Sequence, residues 1–341
     1  ETFRSLCLTR VQVVQALDEH GFLDTPRFAE QQRAIALAFA ESPTRPAHFA
    51  GRSYPDCPQD LRQFLDECFT REGGPGPRPA PGPTEAPVVP GIVAPHIDFQ
   101  RGGHGYAHAY ARLLQGGRPE VVFVFGVAHL VPPVPFVLSR KDFETPFGTL
   151  TTDQAIVETL ADSCAWDPFE HELLHRTEHS VEFQATMLAH LYGTAPRIVP
   201  VLCAPLGEAG DVDPAQLTAV QAFLAACRQV ASEHRSTAIA SADLAHVGRA
   251  FGDEFEVDEQ VTADIRTRDH SDLDAVQRVA GDAWYAAVMQ DANARKVCGV
   301  NCIYAALKTV EGTATQGELL HYDYAPDPSG RIVSFASVAL A

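Results

Sequence analysis

The stretch GIVAPHIDFQRGGHGYAHAY (91–110) decides how the rest of the chain reads. Its apolar, β-friendly start ends at Pro95, and His96 follows at once. Asp98, Arg101, a glycine pair and two more histidines come next, at the start of a helical pattern near 104–115. This is the signature of a buried strand that delivers an imidazole at its carboxyl end and turns into a helix. Similar apolar runs occur at 88–94, 120–126, 197–203, 236–242 and 333–340. Helical patterns lie between them, near 153–162, 178–191, 214–232, 255–266, 273–279 and 299–310. Continuous Val/Ile runs joined through helices predict a sheet buried on both faces. The expected fold class is a three-layer α/β/α domain around a central, mostly parallel sheet. The segment 134–150 is expected to add an antiparallel piece.

The 341 residues suffice for one large domain with additions. A hydrophobic fraction of 45% allows a large core, and 21% charged residues argues against disorder. The formal net charge of −18 argues against sequence-independent binding to nucleic acid or anionic lipid. The longest apolar run, 121–138, carries Gly126, His129 and three prolines, which is incompatible with a membrane span. Eight cysteines are scattered without a CxxC pair, so neither a zinc ribbon nor a small disulfide scaffold is indicated. Free thiols in a reducing cytoplasm are expected. The chain opens on Glu1, which reads as a processed or trimmed start.

Residues 1–45 form an expected helical extension, with helices over 8–23 and 25–42. The second starts on Thr25 as cap with Pro26 in the first turn. The two helices could form a cut-down winged-helix-like module, but the acidic charge favours a helical pair docked on the main domain. Residues 46–341 form the α/β domain. Within it, 48–69 is a turn-rich segment followed by a short amphipathic helix, and 71–90 is a Pro/Gly-rich loop or linker.

Ligand sites of open α/β sheets lie beyond the carboxyl ends of the strands. Three predicted strands exit into imidazoles: His96 after the first, His129 after the second, and His246, with Asp243, in SADLAH (241–246) after the run at 236–242. One loop histidine means little, but three at such exits point to a metal or acid/base site. TEHSVEFQATMLAHL (177–191) adds Glu178 and His179 at a helix start aimed at the site, where they could hold an anion or support a ligand. Glu182, one turn after Glu178, and His171 and His175 read as a solvated polar face. In ARKVCGVNCIYAALKTV (294–310), Cys298 precedes a helix, and Arg295 and Lys296 nearby would favour its thiolate as nucleophile or soft ligand. Cys302 reads as core.

The motifs APHIDFQRGG, FGVAHL, TEHSVEFQ, SADLAH and CGVNCIY occur in the order and spacing of the Memo family, which the chain resembles over roughly 46–341. HFAGRSYP (48–55) is similar to that family's opening element. The resemblance is closest to the bacterial branch called AmmeMemoRadiSam system protein B, and it implies a fold like that of class III extradiol dioxygenases. It implies a metal held by His96, His129 and Cys298. His246 and Asp243 would line the same pocket, His246 as acid/base. A cysteine stands where the ring-cleaving enzymes of this fold carry a carboxylate.

The expected function is a cytoplasmic metal-binding protein with redox, dioxygenase-like chemistry. Fe(II) is the first expected cofactor, and thiolate ligation also suits copper or zinc. The catalytic set would be His246 and Asp243 with His179 and Glu178 behind the ligands, acting on an unknown small-molecule or peptide substrate. Two rival readings are a non-catalytic scaffold partnering proteins of a radical-SAM-linked system, and a metal-dependent hydrolase.

Overall fold

The structure, a computed structural model, describes residues 10–206, 212–327 and 330–341. It divides into two compact units between Pro43 and Thr44. The start of the first expected helix, and Cys7, lie outside the described residues.

The first unit holds α1 (Arg10–Glu19) and α2 (Pro26–Glu41). Thr25 caps α2 by accepting from the Phe28 amide at 3.3 Å, with Pro26 in the first turn. The Thr25 hydroxyl also donates to Asp18 of α1.

The second unit begins with β1 (Thr44–Arg45) and α3 (Pro58–Thr70), followed by β2 (Gly91–Ala94), α4 (Phe99–Gln115) and β3 (Val121–Val127). Then come β4 (Phe136–Leu138), β5 (Asp142–Thr145), β6 (Gly148–Leu150), α5 (Gln154–Asp162), α6 (His179–Tyr192) and β7 (Arg197–Cys203). The remainder is α7 (Thr218–Glu233), β8 (Ser236–Ser241), β9 (Asp243–Gly248), α8 (Glu259–Gln277), α9 (Gly281–Met289), α10 (Val300–Val310), β10 (Gly317–Asp327) and β11 (Arg331–Leu340).

The main sheet runs β10-β11-β2-β8-β3-β7-β4, with β9 also paired to β11. Its centre, β2-β8-β3-β7, is parallel. The flanks are antiparallel: β4 on β7, and β11 on β2, β9 and β10. The sheet is therefore mixed around the expected parallel core. A separate small sheet, β1-β5-β6, contains the antiparallel piece foreseen within 134–150.

Every residue of β3 is buried, and alternation assigns its side chains to opposite cores. Val121, Phe123, Phe125 and Val127 join the cluster with α7, α9 and α10. Val122 and Val124 join the cluster with α3, α4 and α6. Burial on both faces is why these strands read as continuous apolar runs.

Two elements differ from the sequence reading, and the 71–90 loop agrees with it. The separate helix expected over 273–279 is the end of α8, and α9 follows it after Val279, whose φ of 53° ends the helical path. SADLAH does not enter a loop: from Asp243 onward it is β9. The 71–90 segment has no helix or strand but is tied down. Gly82 donates to Leu114, Gly117 donates to Pro87, and Arg235 reaches the carbonyls of Thr84 and Ala86.

Candidate metal centre

β2 ends at Ala94, and His96 sits two residues beyond, buried at 1% exposure. Its Nδ1 lies 2.9 Å from the Ser241 carbonyl, which can only accept, so Nδ1 carries the hydrogen and Nε2 keeps a lone pair. The main chain here is pinned from two sides. Asp243 Oδ1 accepts from the amides of His96 (2.9 Å) and Ile97 (3.2 Å). Gln184 of α6 donates to the Pro95 carbonyl and to Ser241 Oγ, both at 2.8 Å, while Tyr110 donates to its Oε1. The Ser241 hydroxyl donates in turn to the Ser180 carbonyl at 2.6 Å. One buried amide therefore joins the carboxyl ends of β2 and β8 to α6.

β3 delivers His129 the same way. Glu178, which caps α6, accepts from His129 Nδ1 at 3.0 and 3.1 Å, from the His129 amide at 3.1 Å and from the Ser180 amide at 3.0 Å. His179 Nδ1 lies 3.2 Å from the same carboxylate. This is the carboxylate–histidine arrangement that fixes a ligand's tautomer and ring plane. The crossing is tight: a Cβ on Gly126 would stand 2.5 Å from Ser180 Oγ, so β3 can approach α6 only with glycine there.

The site's electrostatics follow from burial and these pairs. Burial, helped by the His129 ring, holds His96 down to about 3. Burial and the His96 ring hold His179 down to about 4. Burial would raise Glu178, but its hydrogen bond from His129 and the neighbouring imidazoles outweigh it and hold the carboxyl down to about 2. Burial would lower His129, yet the same hydrogen bond and charge raise it. At neutral pH, then, His96 and His179 are neutral and can act as donors, and Glu178 is anionic.

One ring nitrogen each from His96, His129 and His179 lie within 4.8 Å of one another. Cys298 stands outside that tight set, although its Sγ is 3.3 Å from His96 Nε2. The closest cluster is thus His96, His129 and His179, with the thiol beside one member. His179, expected behind the ligands, has a ring nitrogen within 4.8 Å of those of His96 and His129.

Cys298 lies just before Gly299, the cap of α10. The expected cationic support is missing. Arg295 is buried against Asp269 and Asp272, and Lys296 pairs with Asp253 at 2.6 Å. Burial, with Asp243 second, pushes the Cys298 thiol well up, so without a cation it is a thiol rather than a thiolate. A Cβ on Gly299 would stand 2.3 Å from Ala242 Cβ, so glycine is needed for this segment to reach the site.

His246 is on β9, with Nδ1 3.0 Å from the Leu244 carbonyl, and burial lowers it. Asp243 is buried and raised by that burial. Its Oδ1 serves the His96 segment, and Oδ2 is 3.6 Å from His96 Nε2. His96, His129, His179, Asp243 and His246 share one cavity of about 390 Å³. Phe49, Phe183, Phe251, Arg101 and Arg331 also line it. Phe49, Arg101 and Phe183 lie within the motifs quoted above, whereas no local sequence signal marks Phe251 or Arg331.

The polar face expected around 171–182 is not solvated at two positions. His175 and Glu182 are wholly buried. Glu182 accepts from Arg45, from the amides of His48 and Phe49, and from Tyr54. His175 Nε2 donates to the Val137 carbonyl.

The donor set suits a transition metal. Neutral imidazoles held by second partners, a nearby thiol and carboxylates around the pocket are ligands of iron, copper and zinc rather than of calcium or magnesium. Fold and site together define a three-layer α/β protein with an imidazole cluster able to hold a metal at the carboxyl edge of its parallel strands.

The chain belongs to the Memo family: the family described as Memo-like protein matches residues 45–340. Its relatives include a MEMO1 family protein of Aquifex aeolicus, 26% identical over 334 residues, covering 96% of this chain and 81% of that protein. Another, from Methanopyrus kandleri, is 29% identical and covers 85% of this chain and 96% of its own length. A third, from Thermus thermophilus, is 27% identical over 304 residues, covering 86% and 82%. Among the described residues, no helix is long and apolar enough to cross a membrane.

Proposed function

We propose that this chain is a mononuclear metal protein with redox, dioxygenase-like chemistry, its metal held by His96, His129 and Cys298. The observation that carries this reading is the Cys298 Sγ 3.3 Å from His96 Nε2, together with a His129 ring nitrogen within 4.8 Å of one on His96. Tetrahedral sites with metal–nitrogen and metal–sulfur bonds of about 2.1 and 2.3 Å put such donors roughly 3.6 Å apart. A bound Fe(II), the favoured ion, or copper would supply open positions for oxygen or substrate, and zinc would supply a Lewis acid.

The protein groups have separate tasks in this reading. Glu178 orients His129 and keeps its Nδ1 protonated. Asp243 holds the His96 main chain. His246 and His179 face the cavity and can carry protons at their ring nitrogens. Phe49, Phe183 and Phe251 keep the cavity wall apolar, and Arg101 and Arg331 give its lining cationic groups for an anionic substrate.

The resemblance of the five motifs is closest to the bacterial branch of the family, which would bring with it a partner in a radical-SAM-linked system. The free thiols of all seven described cysteines suit a reducing cytoplasm.

Elemental analysis of anaerobically prepared protein tests the centre. Wild type should carry about one equivalent of iron or copper, His96→Ala should lose it, and Cys298→Ser should bind it at least 10-fold more weakly. His179→Gln should keep it. Retention in Cys298→Ser together with loss in His179→Gln would move the third ligand to His179. Absence of metal and of oxygen uptake would point to a scaffold.

A further inference from the structure

We propose that His104, His321 and Asp323 form a second transition-metal site, of the zinc type, sharing no residue with the His96 cluster. The topology brings two short motifs together. His104 and His108 are one turn apart on the same side of α4. His321 and Asp323 are two residues apart on β10, and so on the same face of this edge strand. A register irregularity between Leu319 and His321 marks the strand just where the pair begins.

One donor atom from each of His104, His321 and Asp323 lie within 4.8 Å of one another. Asp323 Oδ2 is 2.8 Å from His104 Nε2 and 3.9 Å from His321 Nε2. A structural carboxylate–imidazole pair accounts for His104 and Asp323 but not for His321. His321 Nε2 is buried and has no hydrogen-bond partner, an arrangement native structures rarely leave without a cause. A cation between the three side chains supplies that partner.

The His321 ring is also held in place. His108 stacks on it at 4.4 Å with an interplanar angle of 3°, and His108 Nε2 is fixed by the Gly73 carbonyl at 2.9 Å. Burial and the two neighbouring imidazoles keep His321 at about 4, so its ring is neutral and retains a lone pair. Two imidazoles and one carboxylate, with a water completing the shell, are zinc chemistry and are too nitrogen-rich for calcium or magnesium. A metal here would clamp the edge strand β10 to α4.

The test uses the full chain with the first site disabled, His96→Ala/His129→Ala, so that it does not depend on the function proposed above. Zn²⁺ titration should show one equivalent bound, and saturating Zn²⁺ should raise Tm. Co²⁺ should give tetrahedral ligand-field bands without the thiolate charge-transfer band that adventitious binding to free cysteines would produce. Adding His321→Gln should weaken Zn²⁺ binding at least 100-fold and remove the Tm response. Asp323→Asn, which keeps an acceptor for His104, should weaken it at least 10-fold. If the disabled background does not fold, the same comparison is made by elemental analysis of zinc-loaded wild type against His321→Gln, which should lose one equivalent. No zinc-dependent Tm shift, or zinc binding undiminished by His321→Gln, would overturn the proposal.

Discussion

Glu178 shows how one side chain can organise several donors. Its two oxygens face His129 Nδ1, the His129 and Ser180 amides and the His179 ring, and it is 7% exposed. Glu178→Gln keeps the shape but loses the charge, and one of its two ends becomes a donor that cannot accept from His129. Partners of this kind tune metal affinity by about 10–100-fold. The expected result is metal binding weakened within that range at an unchanged far-UV CD spectrum, read by competition with a chromophoric chelator. Unchanged affinity would mean that the strand end alone sets His129. At this scale the sequence was informative about identity and weaker about role. His96, His129, Asp243, His246 and Cys298 were all visible as residues following strands or preceding a helix. What Asp243 bonds to was not visible, nor that Arg295 and Lys296 turn to Asp269, Asp272 and Asp253 instead of Cys298, because those partners are distant in sequence.

At the scale of elements, the site depends on how α6 is anchored. Glu182 of α6 and Arg45 of β1 form a wholly buried ion pair 137 residues apart in sequence. Arg45 also donates to the carbonyls of His175 and Glu178, both at 2.8 Å, so it holds the segment leading into the α6 cap. Glu182 collects the amides of His48 and Phe49 and the Tyr54 hydroxyl, bonding the opening segment to the same helix. Removing one partner leaves a buried charge uncompensated, which costs about 3–5 kcal/mol. Arg45→Met should therefore lower stability by about that amount in urea unfolding. The Arg45→Met/Glu182→Leu pair should recover part of it; additive losses would contradict the coupling. A polar face read from spacing looks solvated because spacing carries no information about a partner so far away. The parallel strands were legible, because burial on both faces leaves unbroken apolar runs. β9 and β10 were not: DLAHVG and HYDYAPD are interrupted by polar residues, and pairing with β11 makes them strands.

Across the whole molecule, several histidines are buried in neutral form, and this sets the acid limb of stability. His175 is the cleanest case, since it lies outside the metal cluster. It is wholly buried, Nε2–H donates to Val137, and Nδ1 has no partner, so a second proton would find no acceptor. Burial holds it down to about 4, against an unfolded value of 6.5. Between those values the unfolded chain binds a proton that the native chain does not, so native stability falls as pH falls. The contribution is intact above pH 6.5, is reduced by about 2 kcal/mol at pH 5, and levels off below pH 4. His96 (about 3), His179 (about 4) and His321 (about 4) act with the same sign. Chelator-treated wild type should therefore lose urea stability steeply from pH 7 to 5. His175→Gln keeps a donor for Val137 but cannot titrate. Whatever it costs at neutral pH, the difference in stability from wild type should shift by about 2 kcal/mol in the variant's favour between pH 7 and 5. Parallel pH profiles for the two proteins would mean that His175 is protonated in the native state, and that the segment preceding α6 opens to water as the solution is acidified.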